Sequence, residues 1–251
     1  MKEVFILAIL QGVAEFLPIS SSGHLVIAQH LLGVHEGGMR LDVFLHVGTL
    51  VSIAIFYFSV LWRVFRNWEW EYIVKILLSA IPAIIVYALF KPFVDGLFEN
   101  AKMVGALLMF TGAVLIGTRY IPKGSKDVSF VRAILMGLGQ ALALLPGVSR
   151  SGTTLACARA GGVDPEKSAE FSFLMSAPLI AGGALLEVLK SFNAVEEAAE
   201  IGWGLCIAGA IIAAVVGYFS LKLLVASLKS RWFWLFGPYC LTAGLLTLIL
   251  V

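Results

Sequence analysis

Residues 11–25 read QGVAEFLPISSSGHL, and their reading decides the fold. The stretch holds an amide, an acid, a proline, three serines and a histidine. It lies between two short apolar runs, VFILAIL at 4–10 and LVIAQHLLGV at 25–34. A helix crossing a bilayer needs about 20 mostly apolar residues, so neither run spans alone. Residues 130–160 repeat the pattern: FVRAILMGLG is followed by QALALLPGVSRSGTTLACARA. A shift of 129 positions carries Gln11 onto Gln140, Ser20 onto Ser149, Ser22 onto Ser151 and Gly23 onto Gly152. The same shift places Ser21 on Arg150 and carries Phe44-Leu45 onto Phe173-Leu174; near the ends it drifts to 131, which takes Thr111 to Thr242.

The rest of the chain explains why such stretches stand out. Of 251 residues, 60% are hydrophobic and 14% charged, and mean hydropathy is +0.95. Soluble domains carry about 25% charged residues, so this surface faces lipid. The net charge of +2 gives no reason to expect nucleic acid as a partner. Cys157, Cys206 and Cys240 sit in apolar stretches without metal-type spacing and read as small buried residues. The apolar N-terminus runs on into Gln11, Glu15 and Pro18 with no small-residue cleavage site, so it reads as mature protein.

Long apolar segments at 42–62, 72–90, 103–120, 170–190, 203–221 and 233–251 predict six spans. Each half then holds one broken helix pair and three spans. If each broken pair enters and leaves on one face, three spans per half invert the second half relative to the first. The expectation is an all-α integral membrane protein: one membrane domain over 1–251, an inverted-topology repeat of about 1–125 and 126–251, and six transmembrane helices plus two re-entrant helix pairs. Paired interrupted segments at matching positions point to a site at the bilayer midplane. Ten cations (Arg63, Arg66, Arg119, Lys123, Lys126, Arg132, Lys167, Lys222, Lys229, Arg231) fall on one face, against five (Lys2, Arg40, Lys91, Lys102, Lys190) on the other. The richer face is the cytoplasmic one. Both termini are then outside, and the first pair dips in from that side.

Ionisable groups within membrane segments are expensive and mark function by default. Glu15, His24, His46, Arg150, Arg159, Glu170 and Glu187 qualify. Arg159 and Glu170 read as an ion pair or loop charges, Glu187 as a partner of Lys190 at a span end, and His46 as a structural hydrogen bond or a site-lining group. Glu15 and Arg150 each lie within one copy of the repeated motif. A buried ion pair holding the halves together accounts for them but not for the hydroxyls around them: Ser20, Ser21 and Ser22 on one side, Ser149, Ser151, Thr153 and Thr154 on the other. Glycine-flanked hydroxyls with an arginine fork suit an oxyanion. A carboxylate suits Mg²⁺ shared with phosphate oxygens, and a serine near a histidine suits nucleophile and proton carrier. The set suggests phosphoryl transfer.

The stretches QGVAEFLPISSSGHL at 11–25, DVFLHVGTL at 42–50, PGVSRSGTT at 146–154 and EFSFLMSAPLIAG at 170–182 closely resemble the undecaprenyl-diphosphatase family of the bacitracin-resistance type, along the whole chain. The resemblance implies hydrolysis of a C55-type polyprenyl diphosphate to the monophosphate and inorganic phosphate, which recycles the lipid carrier of cell-wall precursors at the plasma membrane. It also implies a fold with two re-entrant helix pairs, a site open to the outer face, and a divalent cation, Mg²⁺ or Ca²⁺. Glu15 matches the family's metal-associated acid, Ser21 the proposed nucleophile or phosphate contact, His24 an acid/base or alternative nucleophile, and Arg150 a phosphate clamp. Ser149 and Thr154 match hydroxyl positions beside it. Gln11 departs from the pattern, which often begins with Glu; it is expected to offer amide oxygen to substrate or metal, or to bond backbone. Ser20, Ser22, Ser151 and Thr153 complete the expected substrate contacts. Membrane lipids are the surrounding partners, and a homodimer is compatible with this reading. An inverted-repeat transporter or polyprenyl-phosphate flippase, and a non-catalytic polyprenyl-phosphate binder, are the alternatives.

Overall fold

A computed structural model describes residues 1–32, 39–98, 100–191, 201–230 and 232–250. Among them the regular structure is helical, apart from one isolated bridge between Lys126 and Val163. The helices are α1 (Lys2–Ala14), α2 (Ser21–Leu32), α3 (Met39–Phe56), α4 (Phe58–Arg66), α5 (Trp70–Phe98), α6 (Ala101–Gly117), α7 (Phe130–Leu142), α8 (Arg150–Ala160), α9 (Pro165–Ser191), α10 (Trp203–Lys229) and α11 (Phe236–Leu250). Five helical stretches are long and apolar enough to cross a bilayer, and six when α3 and α4 count as one bent span. The chain is a multi-pass all-α membrane protein.

The side-chain pattern of α10 shows how lipid shapes these helices. Ile207, Ile211, Val215, Phe219 and Leu223 are exposed at a spacing of four, while Cys206, Gly209, Ala213 and Gly217 are buried. Large apolar groups face outward because lipid is as apolar as they are. Small residues face inward because they let backbones approach. The α6–α11 contact uses the same rule reciprocally. A Cβ on Gly105 would lie 2.9 Å from the Gly244 carbonyl oxygen, and one on Gly244 would lie 2.5 Å from the Gly105 oxygen. Gly112 and Gly237 oppose each other in the same way, 2.8 Å each. These two antiparallel helices cross with glycine facing glycine at both ends of the contact.

The expected span 42–62 breaks at Tyr57, where α3 and α4 meet at 70°. The physical reason lies in α4: FSVLWRVFR carries Arg63 and Arg66 in its last turn and exposes Trp62 and Phe65. Such an amphipathic piece with aromatic and cationic ends favours the interface over the hydrocarbon. Stacked Trp68 and Trp70 rings, 5.3 Å apart, continue that aromatic belt. Glu170 accepts from the Tyr72 hydroxyl at 3.1 Å and pairs with Arg63 at 3.6 Å. It is thus tied to α4 and α5 and not to Arg159, whose Nε donates to the Ile121 carbonyl at 2.8 Å. The side chains of Glu187 and Lys190 lie outside the described residues.

The two broken pairs pack one side against the long helices: Val4, Leu7 and Ala8 of α1 and Ala133 and Met136 of α7 are buried, while Ile6, Ile9, Ile134 and Leu138 are exposed. The 13 residues of α1 reach about 20 Å, short of the hydrocarbon thickness of about 30 Å. Non-helical turns at 15–20 and 143–149 follow α1 and α7 and break the helices there. α1 packs on α10, from the other half of the chain, and α7 packs on α5, again from the other half. This exchange brings the two breaks together.

Candidate active site

Each break ends in a serine that caps the next helix. Ser20 Oγ accepts from the Gly23 amide at 3.3 Å, and Ser149 Oγ accepts from the Gly152 amide at 3.1 Å. Each also lies beside a second hydroxyl: Ser20 and Ser22 Oγ are 3.4 Å apart, Ser149 and Ser151 Oγ 3.3 Å. The residue four beyond each cap bonds back to the cap carbonyl. His24 Nδ1 lies 2.9 Å from Ser20 O, and Thr153 Oγ1 donates to Ser149 O at 2.9 Å. The breaks are held from outside in matching fashion. Thr111 Oγ1 donates to Gly147 O at 2.9 Å, and Cys240 Sγ donates to Pro18 O at 3.5 Å. In every case the two partners are related by the shift of 129 seen in the sequence.

Two positions show why the turns need these residues. Gly147 has φ +98°, and a Cβ there would lie 2.4 Å from the Val104 carbonyl oxygen. Ser20 has φ +71°, a conformation that costs a non-glycine residue roughly 1–3 kcal/mol. Its carbonyl is held there by both the backbone N–H and the imidazole of His24.

The N-termini of α2 and α8 therefore converge on one cavity of about 300 Å³. Unpaired N–H groups and the helix dipole make such ends favourable for anions. Glu15, Ser20, Ser21, Ser22, Ser149 and Arg150 line the cavity. Arg150 Nη2 forms an ion pair with Glu15 Oε1. Glu15 Oε2 accepts from Ser21 Oγ at 2.7 Å and from Gln11 Nε2 at 3.1 Å. The arginine also lies over the Phe173 ring, 5.9 Å from its centroid. One guanidinium nitrogen, Nη1, is buried without a partner.

Not every expected contact faces this space. Thr153 Oγ1 is spent on the Ser149 and Gly139 carbonyls, and Thr154 Oγ1 on the Arg150 carbonyl and Ser172. Ser151 donates to the Leu17 carbonyl at 3.2 Å. These three hydroxyls tie α8 to its neighbours and are not among the lining residues. Gln11 is fully buried behind Glu15. His24 is likewise turned away: its Nε2 lies 2.8 Å from Tyr239 Oη on α11. Since Nδ1–H donates to a carbonyl, Nε2 accepts from the tyrosine. The histidine that lines the cavity is His46, whose Nδ1 lies 2.7 Å from the Asp42 carbonyl oxygen. Gln140 and, from α9, Ser176, Leu179, Ile180 and Gly183 also line it. The matching positions of Gln11 and Gln140 were the sequence signal for the first of these; Ser176, Leu179 and Ile180 lie in the 170–182 stretch that carries the family resemblance, which did not single them out individually.

Among the described residues no three His, Cys, Asp or Glu side chains gather as a metal cluster. A cation of the Mg²⁺ or Ca²⁺ kind needs less, because phosphate oxygens and water complete its shell. The Glu15 carboxylate lines the cavity and is an oxygen donor that fits this type; Gln11 Oε1 is a buried oxygen without a partner, but its amide lies behind Glu15 and turns Nε2 to that carboxylate.

The family model described as bacitracin resistance protein BacA matches residues 4–246. An undecaprenyl-diphosphatase of Halothermothrix orenii is 38% identical over 99% of this chain and 97% of its own length. Proteins of the same name are 36% identical in Thermotoga petrophila (96% of this chain, 97% of theirs) and 34% in Methanosphaera stadtmanae (98% and 96%).

Proposed function

This chain belongs to the bacitracin resistance protein BacA family, and from that premise we propose that it hydrolyses undecaprenyl diphosphate to the monophosphate and inorganic phosphate. One observation carries the reading at the level of residues. The Glu15–Arg150 pair joins the two motif copies at a cavity where the Ser21 hydroxyl already donates to Glu15.

The diphosphate enters between the N-termini of α2 and α8. Arg150 turns its fork to phosphate oxygens, with the Ser149 and Ser20 hydroxyls beside it. These fixed donors meet charge as it develops on the phosphoryl oxygens. Ser21 Oγ attacks the terminal phosphorus, and its proton passes to Glu15 Oε2, the acceptor it already faces. The lipid monophosphate departs, and water then releases phosphate from Ser21. His46, with Nδ1 committed to Asp42 and Nε2 left to accept, carries protons to and from this water. His24 acts through Ser20 by holding its strained carbonyl. A bound Mg²⁺ or Ca²⁺ would be held by Glu15 together with phosphate oxygens and water, and would supply neutralisation of phosphate charge.

The tail lies along the apolar wall of the cavity, where Leu179, Ile180 and Gly183 of α9 lead toward lipid. The reciprocal contacts of α6 with α11, and the bonds repeated at a shift of 129, support an inverted repeat of 1–125 and 126–251. The excess of lysine and arginine on one set of loops supports a topology with both termini outside and the cavity open outward; the hydrolase reading itself implies the plasma membrane.

The test is phosphate release from a long polyprenyl diphosphate by purified protein, with and without EDTA. The wild type is expected to release phosphate. Arg150→Ala, still folded in detergent, is expected to release none; normal turnover in that variant would sink the assignment.

A further inference from the structure

Gln140 is the anomaly of the cavity. It is 4% exposed, and both its carboxamide nitrogen and its carboxamide oxygen are buried without a partner. Buried polar groups are nearly always bonded, so each exception asks for an explanation. The two copies of the motif supply a contrast. Gln11 finds Glu15 four residues on and donates to it at 3.1 Å. Four residues beyond Gln140 stands Leu144, which accepts nothing. Both Gln140 and Leu144 line the cavity that Glu15, Ser21 and Arg150 line. Arg150 Nη1 is the other unpartnered buried nitrogen on that cavity. An amide and a guanidinium with N–H groups to spare both lack an oxygen. The amide orientation does not alter this, since both of its ends are unpaired.

We propose that Gln140 is a phosphate-binding residue, whose amide N–H donates to an oxygen of the diphosphate head group held by Arg150, and whose amide oxygen accepts from a protonated phosphate oxygen or its water. The symmetry of the repeat is broken here: the first glutamine holds the acid, and the second holds the ligand. The choice of a diphosphate rests on the hydrolase reading above.

The experiment uses the full chain in detergent as wild type, Gln140→Met and Gln140→Glu, with Leu138→Ala on the exposed side of α7 as a control. Thermal unfolding is measured with and without inorganic diphosphate, and phosphate release is measured on a polyprenyl diphosphate. Gln140→Met removes an unsatisfied amide, so the ligand-free protein should melt no lower than wild type. The upward shift produced by diphosphate should shrink or vanish, and KM should rise about tenfold with a smaller change in kcat. Gln140→Glu keeps the shape but repels phosphate, so its KM should rise further. A Gln140→Met protein that melts lower than wild type yet keeps its diphosphate shift and KM would make Gln140 a packing residue and overturn the proposal. A wild type that is stabilised by diphosphate but releases no phosphate, with the shift lost in Gln140→Met, would uphold this assignment while the hydrolase reading fell. If inorganic diphosphate leaves the wild type unmoved, KM alone decides, and an unchanged KM in both variants overturns the proposal.

Discussion

The Ser21 hydroxyl donates to Glu15 Oε2 at 2.7 Å, across the break between α1 and α2. The donor is a candidate nucleophile and the acceptor a candidate base, so the pair has the geometry of an activated hydroxyl before any substrate arrives. Ser21→Ala should remove turnover while leaving the fold intact, because the lost bond is one of several on Glu15. The check is phosphate release together with the melting temperature; a variant that hydrolyses normally assigns the attack to water.

Glu15 and Arg150 are a buried pair, with side chains 6% and 15% exposed. Removing one partner strands the other, at roughly 3–5 kcal/mol. Glu15→Gln and Arg150→Met should each lower stability by that order, whereas the double variant should recover much of the loss and none of the activity. A double-mutant cycle of thermal or denaturant unfolding in detergent measures the coupling.

His46 and His24 should respond differently. His46→Ala should lower kcat by about 10²-fold or more, the usual scale for a proton carrier. Tyr239→Phe, which removes the donor facing His24, should leave the rate within about threefold if His24 only positions Ser20, at the scale of one neutral hydrogen bond. Rates of the two variants at saturating substrate decide between the histidines.

Divalent-ion dependence can be tested at Glu15 and at its neighbour Gln11. EDTA should suppress turnover, and added Mg²⁺ or Ca²⁺ should restore it. Gln11→Glu supplies a second carboxylate, so half-maximal activity should be reached at a lower metal concentration. A metal titration of rate in wild type and variant checks both statements.

Gly147 should tolerate no side chain. Its φ of +98° and a Cβ placed 2.4 Å from the Val104 carbonyl oxygen make Gly147→Ala a strained overlap. The expected loss is about 2 kcal/mol or more, seen as a lower melting temperature in detergent.

Much of this molecule was legible along the chain because lipid imposes simple rules. Apolar length marked the spans, and two polar breaks in short apolar runs marked the site. Both Glu15 and Arg150 were singled out as charges that hydrocarbon does not tolerate alone. The bend at Tyr57 was not legible, since 42–62 is apolar enough to cross and only the Arg63, Arg66 and tryptophan placement draws α4 to the interface. Nor was the orientation of the hydroxyls. Thr153 and Thr154 follow the arginine by three and four residues, one helical turn on, yet that turn aims them at carbonyls of α7 and α8 and at Ser172 of α9.

By itself, the sequence determined that this is a lipid-embedded helical protein with one polar motif written twice, because hydropathy and repetition are properties of a linear string. Tertiary structure alone decided that the two copies meet. α1 packs on α10 and α7 on α5, so residues 135 positions apart form one ion pair. It also decided that His46 and Gln140 face the cavity while His24 turns to Tyr239. The reason is geometric: a side chain's direction depends on the helix phase and on the neighbour it packs against, and neither is written in the local pattern that makes it polar.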